Sequence, residues 1–169
     1  MNNHTEVLMA VAAMYGGPRY LEIGIGDGGN FERVAQYCLS AIAVDVADNP
    51  YGPEIGPRVS QLLRCSYYGE GSDAFFTSED RQFDLIFIDG SHWAEQVRKD
   101  WLNSLRVLAP CGTIALHDTW AATEQEIREG SGTAYQVAEA IEVDPAFDCF
   151  TVPIRPGLTL ARPRMKRFS

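Results

Sequence analysis

The amino-acid sequence predicts an α/β fold: a single doubly wound, mostly parallel sheet of seven strands with an antiparallel last strand. Three observations carry that expectation. Short apolar runs alternate with amphipathic stretches, the pattern of a parallel sheet covered on both faces. A glycine cluster, Gly24 to Gly29, follows the first apolar run directly. The last two apolar runs lie only a few residues apart, close enough for a hairpin and too close for a parallel crossover.

The elements follow in order. Val7 to Met14 is apolar and reads as a first helix; no Lys or Arg precedes it, so it lacks the charge pattern of a secretory signal. Arg19–Ile23 is the first strand. Phe31, Val34, Ala35 and Cys38 recur at helical spacing. Ala41–Asp45 is a second strand, nearly all apolar, as a strand buried on both faces would be. Asp48 to Pro57 holds three prolines and two glycines and is expected to be a loop with a short helix after it. Leu62–Cys65 is a weak third strand, Ser72–Thr77 a short helix, and Phe83–Ile88 a strong fourth strand.

Trp93, Val97, Trp101, Leu105 and Leu108 then mark one face of a long helix, which places both tryptophans in the core. Pro110-Cys111-Gly112 is expected to end it. Thr113–Leu116 is a fifth strand. A helix between Ala121 and Ile141, interrupted near Gly130-Ser131-Gly132, leads to two last strands, Phe147–Ile154 and Gly157–Ala161.

Composition narrows the function classes. The 169 residues fit one domain, 1–169. No run approaches the roughly 18 apolar residues of a membrane span. Cys38, Cys65, Cys111 and Cys149 form no CxxC pair and read as buried thiols of a reducing compartment, so the expected location is cytoplasmic. Net charge is -9, and Arg162, Arg164, Lys166 and Arg167 gather after Leu160, where a frayed basic tail is expected. An acidic body is a poor match for a nucleic-acid backbone.

The polar residues fall where a ligand site would need them. In open α/β sheets ligands bind beyond the carboxyl ends of the strands. The successive strand ends here deliver Gly24–Gly29, Asp45, Gly71-Ser72-Asp73, Asp89-Gly90-Ser91-His92 and His117-Asp118-Thr119. Glycine permits a tight turn and close approach of a ligand to backbone, and a following helix offers N–H groups to an anion. Gly24, Gly26 and Gly29 also satisfy GxGxxG, so the same loop fits a nicotinamide dinucleotide. Asp45 could accept from a ribose in either case.

Glu22-Ile23-Gly24-Ile25-Gly26-Asp27-Gly28 resembles the E/D-x-G-x-G-x-G motif of class I S-adenosylmethionine methyltransferases. Asp45 matches their ribose-binding acid and Gly71-Ser72-Asp73 the turn beside the adenine. Phe83–Gly90, Leu108–Ile114 and Gly157–Ala161 match their fourth, fifth and seventh strand regions. The resemblance implies a Rossmann-like class I methyltransferase fold with S-adenosyl-L-methionine as cofactor. It further implies a cofactor-binding set of Glu22, Gly24, Gly26, Gly28, Asp45, Ser72, Asp73 and Asp89.

Ile88-Asp89-Gly90-Ser91-His92 with His117-Asp118-Thr119 is similar to the metal-assisted O-methyltransferases, including catechol O-methyltransferase-like and sugar enzymes. That likeness implies Asp89 and Asp118 as ligands of Mg2+, His92 as the group that takes the acceptor's proton, and a small molecule or sugar as acceptor. Thr119 stands where catechol-type enzymes carry an amide ligand, and Cys111 where a glycine is commoner. Little chain precedes the first strand, so the substrate side is expected either to stand open or to be closed by a second copy in a homo-oligomer. His117 is expected to be a satisfied structural histidine, and Trp120 lies where substrate or adenine could meet it. Two other readings share the residues: an NAD-dependent oxidoreductase using the same loop, and a non-catalytic cofactor-binding module.

Overall fold

A computed structural model describes residues 3–120, 122–127, 132–152 and 154–164. The chain runs α1 (Asn3–Tyr15), β1 (Arg19–Ile23), α2 (Gly29–Ala35), β2 (Ser40–Val44), α3 (Gly52–Gln61), β3 (Cys65–Tyr68) and α4 (Ser72–Ser78). It continues with β4 (Phe83–Ile88), α5 (Ala94–Val107), β5 (Leu108–His117), α6 (Glu124–Glu126), α7 (Tyr135–Glu142), β6 (Phe147–Val152) and β7 (Leu158–Pro163). The strands form one seven-stranded sheet in the order β3-β2-β1-β4-β5-β7-β6. β3, β2, β1, β4 and β5 pair in parallel; β7 runs antiparallel to both β5 and β6.

The sheet is buried on both faces because its strands are apolar at successive positions. Leu21, Ile23, Ile42, Val44, Ile86 and Ile88 pack on one face with Val97 and Trp101 of α5. Tyr20, Ala41, Ala43, Leu85 and Phe87 pack on the other with Leu8 and Ala12 of α1, Phe31 and Val34 of α2, and Ile55 and Val59 of α3. Strand order reverses between β1 and β4. There the Asp89 N–H donates to the Ile23 carbonyl at 2.8 Å, and Gly24 N–H to Val44 O at 2.7 Å. This switch point is where a parallel sheet opens a crevice.

Several expectations need correction. The Asp48–Pro57 segment becomes helical at Gly52. Pro53 sits in the first turn, where its missing N–H has no helical partner to lose. Pro57 lies inside α3, at a cost of about 3 kcal/mol. Ile55 and Val59, four residues apart and fully buried, offset it at roughly 1.5–3 kcal/mol each. The third strand begins at Cys65, where Leu62–Cys65 was expected to hold it. Pro110-Cys111-Gly112 does not terminate the long helix: α5 stops at Val107, and β5 runs through those residues with its register against β4 shifted between Phe83 and Leu85. Cys111 takes φ 66° in that irregularity.

Trp101 is in the core as expected, but Trp93 is not: it precedes α5 in extended conformation and is 56% exposed. The helix expected between Ala121 and Ile141 is two, α6 and α7; Gly130 and Ser131 lie outside the described residues. The basic tail is anchored at its start, where Arg164 Nε meets Asp148 Oδ1 at 2.9 Å and Arg164 N–H donates to Ala146 O. Lys166 and Arg167 lie outside the described residues. No described helix is long and apolar enough to cross a membrane.

Candidate active site

Glycines shape the carboxyl edge of the sheet in two different ways. Gly24 has φ 81°, and a Cβ there would fall 2.2 Å from Gly90 Cα. It is required by the closeness of the β1 and β4 ends. Gly26 and Gly71 also have positive φ, 51° and 86°, but a Cβ on either would meet no atom within 4 Å. They open onto a cavity of about 800 Å³ that Gly24, Asp45, Asn49, Ser72, Asp73, Asp89 and His92 also line. A bare backbone facing open space is what a closely held ligand needs.

Asp45 organises this loop. Its Oδ2 accepts from Ile25 N–H at 2.8 Å, Gly26 N–H at 3.1 Å and Asn49 Nδ2 at 2.9 Å, while Oδ1 accepts from Val46 N–H at 2.7 Å. A carboxylate offers about four lone-pair sites, so only Oδ1 keeps acceptor capacity. Asn49 ties the same loop from the other side through Gly26 O at 3.1 Å. Sequence reasoning missed Asn49 because it lay in a segment taken as plain loop.

Glu22 sits behind the loop. It is 1% exposed and does not line the cavity; Tyr20 Oη donates to its Oε2 at 2.6 Å and Asn30 Nδ2 at 3.0 Å. Burial, against those two hydrogen bonds, pushes its carboxyl up to about 8. Gly28 likewise lies outside the lining and supplies the left-handed residue before α2.

The far end of the cavity is polar. Gln96 Nε2 reaches Asp73 Oδ1 at 3.1 Å, Asp100 Oδ1 at 3.2 Å and Ser72 Oγ at 3.4 Å. Asp100 is buried to 1% exposure, and that burial raises its pKa despite hydrogen bonds to Ser72 and Gln96. Gln96 and Asp100 also went unread in the sequence. Their i,i+4 spacing on the polar side of α5, beside the Trp101 stripe, was the available signal.

The β4 and β5 ends bring together all three histidines of the chain and two aspartates. His117 Nδ1 lies 2.8 Å from Asp89 Oδ1 and 3.3 Å from Asp118 Oδ1; His92 Nδ1 lies 3.4 Å from Asp118 Oδ2. Burial works against a charge on His117, but the hydrogen bond and charge of Asp89, with Asp118 adding to them, outweigh it and raise its pKa. Burial also raises Asp118, opposed by His117 and His92. His117 is therefore not the satisfied structural histidine expected: its Nε2 is buried and without a hydrogen-bond partner among the described residues. Thr119 Oγ1 shares that condition. His4, which the sequence gave no reason to place here, reaches the cluster from the first turn of α1, its ring centroid 4.4 Å from that of His117.

Asp118 holds φ 55°, a conformation Asp tolerates better than most residues. It does not cap α6, whose cap is Thr123 paired with Glu126. Trp120 is tied to the turn between β6 and β7: its N–H donates to Pro156 O at 2.9 Å and Arg155 lies 5.5 Å over its ring. A second cavity, of about 490 Å³, opens at the opposite edge near Tyr15 and Cys111, away from all these groups.

This sheet order, with a glycine loop after β1, an acid after β2 and an antiparallel β7, is the Rossmann-like architecture of the class I S-adenosylmethionine-dependent methyltransferases. The sequence pattern of a family described as a methyltransferase domain matches residues 21–119, and the chain belongs to that family. An uncharacterized protein of Sinorhizobium fredii is 31% identical over 119 residues; the match covers 64% of this chain and spans only 12% of that relative. The fold is similar to that of an O-methyltransferase of Bacillus cereus in complex with S-adenosylhomocysteine (14% identity, 97% of this chain and 82% of that one, TM-score 0.76). It is also similar to an S-adenosylhomocysteine-bound methyltransferase of Podospora anserina (18%, 96% and 78%, TM-score 0.75) and an N-methyltransferase of Bradyrhizobium japonicum (18%, 94% and 92%, TM-score 0.69).

Proposed function

We propose that this chain transfers the methyl group of S-adenosylmethionine to a hydroxyl oxygen of a small molecule or sugar. The observation that carries the reading is the junction of two half-sites on one edge. The glycine loop, Asp45 and Ser72–Asp73 line a cavity whose other wall is Asp89 and His92. Two of the similar solved structures hold S-adenosylhomocysteine, the product such a reaction leaves.

In this reading Gly26 and Gly71 let the cofactor approach backbone, Oδ1 of Asp45 accepts from a ribose hydroxyl, and the Ser72–Asp73 turn flanks the adenine. Gly24 and Gly28 shape the loop, and Glu22 supports it from beneath. The acceptor oxygen attacks the methyl carbon, the sulfur–carbon bond breaks, and the hydroxyl proton passes to His92. Asp118, 3.4 Å from His92 Nδ1, stabilises the imidazolium that results. Holding the partners in line is worth several kcal/mol without any covalent intermediate.

Asp89, His92 and Asp118 each place a ligand atom within 4.8 Å of the others, and Thr119 Oγ1 is an orphaned oxygen beside them in sequence. Two carboxylates and a hydroxyl are donors Mg2+ accepts; bound there, it would lower the pKa of the acceptor hydroxyl.

Calorimetric titration with S-adenosylhomocysteine and with NAD tests the proposal at its root. Saturable binding of the first, lost in Gly26→Val, is the expected result. Binding of NAD alone would replace the reading with a nicotinamide-dependent one, and binding of S-adenosylhomocysteine without methyl transfer to any hydroxyl acceptor would leave a non-catalytic module.

A further inference from the structure

Asp89 belongs to two ligand clusters, and the methyl-transfer reading uses only one. The other joins three elements distant in sequence: His4 from the first turn of α1, Asp89 after β4, and His117 at the end of β5. One ligand atom from each lies within 4.8 Å of the other two. Ligands about 2.0–2.2 Å from a tetrahedral ion sit roughly 3.3–3.6 Å apart, a gap that side-chain rotation closes.

The environment of the pair is specific. The His4 ring meets His117 edge-on and stacks at 5.8 Å on Phe87, which also meets His117 edge-on at 6.0 Å. Asp89 holds His117 through Nδ1 at 2.8 Å. The remaining nitrogen, Nε2, is the buried atom without a partner among the described residues. An ion shared by Asp89 and His117 would sit at that Nδ1 and displace the proton between them, as metal binding to imidazole does; Nε2 then carries the ring proton. The donor set matters too: two imidazoles and a carboxylate suit borderline transition ions, whereas Mg2+ prefers oxygen ligands and keeps its waters.

We propose that His4, Asp89 and His117 bind a borderline transition-metal dication of the zinc or cobalt class, with further positions left for solvent or an acceptor oxygen. The proposal goes beyond methyl transfer and needs neither cofactor nor acceptor. It shares Asp89 with the oxygen-rich cluster but differs in its other members, so the two are separable by mutation.

The test uses the untagged chain, stripped with chelator and titrated with Co2+ without S-adenosylmethionine. One equivalent should bind with the visible absorption of a low-coordinate Co2+, be displaced by Zn2+, and persist in excess Mg2+. His4→Ala and His117→Gln should each weaken Co2+ by about tenfold or more, while His92→Ala, a member of the other cluster only, binds within about threefold of the parent. His117 is part of the core, so thermal unfolding with and without Zn2+ accompanies each variant; His4→Ala, at the start of α1, keeps the fold and should lose the Zn2+-dependent rise. No saturable binding, binding unchanged in His4→Ala, or binding abolished by His92→Ala would each overturn the proposal. Because no methyl transfer is measured, those outcomes leave the methyltransferase reading intact, and a failed methyl transfer leaves this one intact.

Discussion

The carboxylate of Asp45 accepts the backbone N–H of Ile25 at 2.8 Å, so the acid after β2 shapes the glycine loop after β1 as well as facing the cavity. Asp45→Ala removes hydrogen bonds to a charged group, worth about 1.5–3 kcal/mol each. The expected result is a loss of about 10- to 100-fold in S-adenosylhomocysteine affinity, read by calorimetry. Amide exchange at Ile25 and Gly26 should accelerate in the cofactor-free variant, which a residue serving only the ribose would not cause.

Gly24 and Gly26 should respond differently to the same change. Gly24→Ala drives a methyl into the Gly90 backbone and should cost more than about 3 kcal/mol in chemical denaturation. Gly26→Ala meets open space, so it should cost only about 1–2 kcal/mol for the left-handed backbone while weakening cofactor binding.

Glu22 makes stability depend on pH with a defined sign. Its carboxyl is raised to about 8 in the fold against 4.5 as its ordinary value. Between those values the folded state holds a proton the unfolded chain has lost, so stability falls as pH rises through that window and levels off above it. Glu22→Gln cannot ionise and should flatten that part of a Tm-against-pH curve. An unchanged slope would mean that Glu22 is already ionised in the fold.

Chelation tests the ion assigned to the carboxylates. If Mg2+ assists at Asp89 and Asp118, chelator should reduce methyl transfer by at least about tenfold, with Mg2+ restoring it. Asp118→Asn should lower kcat far more than it changes cofactor affinity. Full activity in chelator, or a fully active Asp118→Asn, would remove Mg2+ from the mechanism.

The sheet was legible because its information is local. Runs such as Leu85–Ile88 and Ala41–Val44 are apolar at every position and so on both faces, and the spacing of β6 and β7 permits only a hairpin. The residues beyond each strand end were legible for the same reason, since topology sends them to one edge. What escaped was whatever depended on packing between distant segments. The Asp48–Pro57 segment read as a loop because the burial of Ile55 and Val59 in the core was invisible. Gln96 and Asp100 looked like an ordinary solvated helix face until α5 was laid against the Ser72–Asp73 turn. His4 carried no pattern at all; only the docking of α1 on the sheet brings it to His117. Trp93 erred in the other direction, since a stripe at helical spacing cannot say that its first member precedes the helix.

The backbone of His92 is gripped from far along the chain. Thr133 and Ala134 N–H groups both donate to the His92 carbonyl, at 2.7 and 3.0 Å, and Gly132 leaves no room for a side chain against it. These residues lead into α7, which packs Val137 and Ile141 into the same core as Phe147 of the edge strand β6. Damage at that edge is thereby wired to the proposed proton acceptor and bypasses the glycine loop. A cavity made at Ile141 should surface as slowed turnover in an enzyme that still fills with cofactor, a kinetic lesion whose cause lies toward the edge strand of the sheet.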